Sequence, residues 1–132
     1  MKVLKNIALC LFMAVSVAGV STTVSAATTD SDGRAIYTPS EAISNVLDKI
    51  KNAQEAIASN KGADDVAALV KEAKDGSKEI NSEKIDRQRQ KGNGHLLAAI
   101  KAAKSKNLTE ASEHLTAAAA VFTEMKSVVD KK

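Results

Sequence analysis

After Thr38, apolar residues recur in steps of three and four along almost the whole chain, and the stripe they draw is written twice. That spacing keeps one face of a 3.6-residue helix apolar and matches no strand. Val46 to Ala53 (VLDKIKNA) is echoed by Leu96 to Ala103 (LLAAIKAA) at a shift of 50 residues. Val66, Val70, Ala73 and Ile80 are echoed by Ala111, Leu115, Ala118 and Met125 at a shift of 45, with a shorter connection in the second copy. A unit of two helices repeated in this way is a helical hairpin used twice.

Start and stop signals divide the pattern into four helices. Thr38-Pro39-Ser40-Glu41 is a capping box with proline at the first helical position, so the first helix runs from about Pro39 to Ser59 through Ile43, Val46, Ile50, Ala53 and Ile57. Asn60-Lys61-Gly62 supplies a left-handed stop. The second helix begins at Asp64 or Asp65, whose charges suit a helix N-terminus, and buries Val66, Leu69, Val70, Ala73 and Ile80. Asp75-Gly76-Ser77 weakens it, and the stripe loses phase between Ile80 and Ile85, which predicts a kink or fray there. Gly92-Asn93-Gly94 reads as the clearest break, with a third helix from about His95 to Lys106 presenting Leu96, Leu97, Ile100 and Ala103. Asn107, with Glu110 three places on, caps a fourth helix whose seam is Leu108, Ala111, Leu115, Ala118, Phe122, Met125 and Val129. Short connections make neighbouring helices antiparallel. The predicted fold is therefore all-α, an up-down-up-down four-helix bundle over 38–132 made of two hairpins. One long coiled-coil dimer fits less well, because glycine-marked or capped breaks interrupt the pattern.

The chain before Thr38 has another character. Lys2 and Lys5, the apolar run Ile7 to Val20 and the small-residue pattern Val24-Ser25-Ala26 are those of a signal peptide over 1–26, cleaved before Ala27. The apolar run is shorter than the roughly 20 residues a spanning helix needs. Residues 27–37, rich in Thr, Ser and Asp, read as a flexible leader. The expected destination is the bacterial periplasm. Cleavage removes the only cysteine, Cys10, and two of 19 basic residues but none of the 16 acidic ones, leaving a net charge of +1. A disulfide, a thiolate metal site and a charge-driven nucleic-acid role all leave with that segment.

The remaining chemistry is sparse. No G-x-S-x-G, P-loop or dinucleotide fingerprint is present, and an alanine-rich bundle offers little concave volume, so the chain reads as no enzyme. Asp64 with Asp65 marks a helix start rather than an acid/base pair. Met125 falls in register with Phe122 and Val129 as core, not as a haem ligand. The run Asp86 to Lys91 is basic but without interleaved aromatics, as on a solvated helix end. His95 and His114 are the only imidazoles, and Glu110 and Glu113 lie within a turn of His114. Glu110 and His114, four apart, share a face and together suit a divalent cation. A turn at Lys106-Asn107 sets His95 opposite about Ala118, roughly 6 Å along the axis from His114. His95 is thus the outlying member of a candidate metal set made of His114, Glu110, Glu113 and His95.

The order of parts resembles the small metal-binding protein family, exported four-helix bundles rich in histidine. The parallels are Ser59-Asn60-Lys61-Gly62 before helix two, Gly92-Asn93-Gly94-His95 at helix three and Ala111-Ser112-Glu113-His114 in helix four. The resemblance implies a periplasmic binder of copper, nickel or zinc. It carries over only His95 and His114, since helices one and two hold asparagine, lysine, aspartate or serine where that pattern would place histidine. Two functional expectations follow: a monomeric, non-enzymatic bundle with weak divalent-metal binding, or an interaction protein for another envelope protein with incidental histidines. Neither involves nucleic acid, nor a membrane once the signal is cleaved.

Overall fold

The computed structural model describes residues 28–29, 31–32 and 35–131; the expected signal peptide and its cleavage site lie outside them. Within the expected leader, β1 (Thr28–Thr29) pairs antiparallel with β2 (Ala35–Ile36) in a two-residue ladder. The fold is all-α, with α1 (Pro39–Ala58), α2 (Ala63–Gly76), α3 (Asp86–Lys104) and α4 (Leu108–Asp130). Each helix packs against two others: α1 and α3 both lie against α2 and α4.

Local chemistry sets most of the ends. At the start of α1 the Thr38 hydroxyl accepts from the Glu41 amide at 3.3 Å, and the Glu41 carboxylate accepts from the Thr38 amide at 2.9 Å. Asn107 and Glu110 open α4 similarly: the Glu110 amide donates to Asn107 Oδ1 at 3.2 Å, and Asn107 Nδ2 donates to Glu110 Oε2 at 2.8 Å. Helices α1 and α3 stop in the same way. Asn60 and Lys106 adopt left-handed φ values of 54° and 61°. The amides that follow, of Lys61 and Asn107, each bond at 2.9 Å to carbonyls five residues back, at Ala56 and Ala102. This pattern satisfies carbonyls that a bare helix end would leave without partners.

Aligning those two stops corrects the internal repeat. A shift of 46, not 50, sets Ser59, Asn60 and Lys61 on Ser105, Lys106 and Asn107. It also sets buried Val46, Ile50, Ala53 and Ala56 on buried Gly92, Leu96, Ala99 and Ala102. The shift of 45 for the second helices is retained: Val66, Val70, Ala73, Ser77 and Ile80 match Ala111, Leu115, Ala118, Phe122 and Met125, all buried. The single-residue difference is the shorter second turn. An alanine-rich stripe slid by one helical turn looks the same in sequence, and only the cap tells the registers apart.

The expected break at Gly92-Asn93-Gly94 is corrected as well. Those residues lie inside α3, and the chain turns between Ile80 and Ile85 instead. Both isoleucines are buried, at 3% and 0% exposure, yet five residues place them about 140° apart on one helix. One continuous helix cannot bury both. Two short 3-10 turns, Ser77–Glu79 and Glu83–Ile85, flank an extended Ile80 (φ −78°, ψ 100°) and resolve the conflict. Gly92 is helical because α4 comes close: a Cβ there would stand 2.8 and 2.9 Å from the ring carbons Cε2 and Cζ of Phe122. Asn93 serves the fully buried Ser77, whose Oγ lies 2.6 Å from Asn93 Oδ1 and 2.6 Å from the Lys74 carbonyl. Leu97, expected in the core, is 43% exposed, because α3 turns Gly92, Leu96, Ala99 and Ala103 inward.

The two glycines should respond oppositely to alanine. Nothing lies within 4 Å of a Cβ at Gly94, so Gly94→Ala should recover about 1 kcal/mol of helix propensity and raise the melting temperature by several degrees. Gly92→Ala should lower it, since overpacking a core costs about 1–3 kcal/mol. Thermal melts followed by circular dichroism check both, and equal shifts would contradict the Phe122 contact. A second test concerns Asp130, whose carboxyl is held below its ordinary value by hydrogen bonds from Ser40 at the start of α1 and from Lys126. A lowered folded value makes its contribution present above the ordinary carboxylate range and lost as pH falls through that value. Asp130→Asn should therefore melt below the parent at about pH 7, with the gap narrowing as the pH falls below the ordinary carboxylate range.

Candidate functional site

The two imidazoles meet. His95 on α3 and His114 on α4 have ring centroids 5.9 Å apart with planes inclined at 37°. Each stands immediately before a leucine that is fully buried, Leu96 and Leu115, so each ring lies at the rim of the core and is half-buried. The sequence expectation that an axial offset keeps His95 away is thereby corrected. Packed helix axes lie 8–10 Å apart, and two side chains of this length reach across both that gap and an offset of about one turn.

Glu110 joins them through its cap. Asn107 engages Oε2, while Oε1 lies 3.8 Å from His114 Nε2, four residues along α4. The bond that starts the helix thus also positions the carboxylate beside the imidazole. Glu113 is exposed, and no hydrogen bond or ion pair joins it to either ring. Of the four expected donors, His95, His114 and Glu110 are brought together and Glu113 is not. Among the described residues, no group of three or more histidine, cysteine or carboxylate side chains is placed to hold a metal ion. The arrangement is an imidazole pair with a carboxylate at its edge. A signal for the pairing was present in sequence as His-Leu-x-Ala-Ala, written at both His95 and His114.

Other concave regions carry different chemistry. A cavity of about 770 Å³ lies where α2 gives way to α3, lined in part by Tyr37, Ile80, Ser82, Asp86 and Arg89. Its Asp86 carboxyl is held below its ordinary value by hydrogen bonds from Arg89 and then Gln90. A carboxylate so held is a poor proton acceptor, and its place in the first turn of α3 suits the helix dipole. A second cavity of about 410 Å³ is bordered by Tyr37, Asn45, Asp48, Lys49 and Glu79. Neither contains a histidine. No helix among the described residues is long and apolar enough to cross a membrane.

Comparison with protein-family models, curated proteins and solved structures gives no match.

Proposed function

We propose that this chain is a non-enzymatic periplasmic protein, an antiparallel up-down-up-down four-helix bundle related to small metal-binding proteins. It binds one divalent transition metal weakly between His95 and His114, with Glu110 at the edge. The observation that carries the metal reading is the 5.9 Å imidazole pair. With metal–nitrogen bonds of about 2.0–2.1 Å, two imidazoles sharing one ion have centroids on the order of 5–6 Å apart. The donors are imidazole nitrogens with a carboxylate nearby, surroundings suited to copper(II), nickel or zinc and unsuited to metals that require thiolate. Two imidazoles leave the remaining coordination positions to water, hence the weakness.

Contacts between α1 and α4 support the topology. Ser40 meets Asp130 and Gln54 meets Thr116, so fourteen residues forward along α1 match fourteen backward along α4. Turns of four residues between α1 and α2 and three between α3 and α4, and the packing of each helix on its chain neighbours, agree with that direction. Opposed directions also account for the histidine pair. In two right-handed helices running oppositely with their leucines turned inward, the residue preceding each leucine falls on the same side of the pair.

Calorimetric titration of the mature chain with copper, nickel and zinc tests the metal reading. Binding should be lost in His95→Ala and equally in His114→Ala, weaken several-fold in Glu110→Gln and persist in Glu113→Gln. Full affinity in His95→Ala would sink it. Topology has its own test: with residues 1–26 removed, Ser40→Cys and Asp130→Cys form the only thiol pair, and oxidation should link them within one chain. A second reading, an interaction protein with incidental histidines, draws on the lack of a three-donor cluster among the described residues.

A further inference from the structure

On the outward surface of the second helix pair the charges that form no ion pair are of one sign on each helix. On α3, Arg87, Lys91, Lys101 and Lys104 are all exposed and recur at helical spacing over about 26 Å. None of them makes an ion pair among the described residues, whereas Lys49, Lys51, Lys71 and Lys126 on the other three helices do. The helix dipole accounts for Lys101 and Lys104 near the C-terminus of α3. It disfavours Arg87 in the first turn, so helix stability does not explain the stripe. On α4 the exposed acids are Glu110, Glu113, Glu124 and Asp130, and its one lysine, Lys126, is paired with Asp130. Between the charged ends lie Gly94, Ala98 and the exposed Leu97 on α3 and Ala117 on α4.

We propose that this face docks on the same face of a second copy of the chain. The inference rests on the antiparallel hairpin proposed above and makes no use of metal. A two-fold axis parallel to the helices lays α3 of one copy over α4 of the other and keeps each residue at its own height. Lys101 and Lys104, near the α3–α4 turn, then meet the partner's Glu110 and the partner's Glu113, while Arg87 and Lys91 meet the partner's Glu124. The reciprocal contact is identical, so the interface closes at two copies. A two-fold axis across the helices would set basic stripe against basic stripe and is disfavoured by repulsion. With mostly small residues and a single exposed leucine at the centre and exposed charges around them, the association is weak and strongly dependent on salt.

Sedimentation equilibrium of the mature chain with chelator present, across a dilution series reaching about 1 mM, tests this. At about 10 mM ionic strength, where the screening length is about 30 Å, the mass should approach twice that of the chain; at about 1 M, where it is about 3 Å, it should return to one copy. Lys101→Glu with Lys104→Glu should be monomeric, as should Glu113→Lys with Glu124→Lys. An equimolar mixture of these two variants should dimerise again. Neutral Lys101→Gln with Lys104→Gln serves as a milder check should a reversal unfold the chain, and should weaken association at least several-fold. A monomeric parent at low salt, or a mixture that fails to associate, would overturn the proposal. Binding to vesicles rich in phosphatidylglycerol without self-association would also overturn it, in favour of an anionic surface. Chelator separates the result from the metal reading, and the Ser40–Asp130 cross-link reports the topology independently.

Discussion

The ring of Phe122 against the backbone of Gly92 fixes how α3 and α4 meet. A side chain at Gly92 would push α4 outward, because its Cβ would fall within 3 Å of two ring carbons. With only hydrogen there, α4 comes close and Leu96 and Leu115 are fully buried. The histidines preceding those leucines are carried into contact by the same approach. A glycine in a helix interior costs about 1 kcal/mol, and here that cost is offset by the burial of a phenyl ring in the core.

A second constraint is the mismatch of phase between Ile80 and Ile85. Two buried residues that one helix would place on different sides force the chain to turn, and the turn consists of two 3-10 segments around an extended isoleucine. The polar contact from Ser77 to Asn93 closes this corner from the opposite side. A hydroxyl that is fully buried needs partners, and the Lys74 carbonyl and the Asn93 side chain provide them. Gly92, Asn93 and Gly94 therefore have separate situations: one admits a ring, one reaches a hydroxyl and one faces open space.

The imidazole pair is economical in its construction. Asn107 caps α4 with one atom and holds the Glu110 carboxylate with another, so a helix start and a site edge share Asn107 and Glu110. The proposed metal position and the proposed self-docking face both lie on the α3–α4 pair. The first occupies the seam between the two helices and the second their outer surface, and the two share Glu110.

Periodicity and capping chemistry sufficed to determine four helices, the capping box at Thr38, the side-chain cap at Asn107, the left-handed stop at Asn60 and the seam of α4 from Ala111 to Met125. These are local properties, legible because a cap or an apolar stripe depends on residues within a turn or two of each other. What the tertiary structure alone decided was the continuity of α3 through Gly92 to Gly94, the 46-residue register of the repeat and the meeting of His95 with His114. Each depends on what stands opposite: Phe122 across from Gly92, Ser77 across from Asn93, and one imidazole across from the other. Glycine spells both a helix break and a close approach, and only the neighbour distinguishes them. The repeated His-Leu-x-Ala-Ala was on the page throughout, but it gained meaning only once two helices brought its copies side by side.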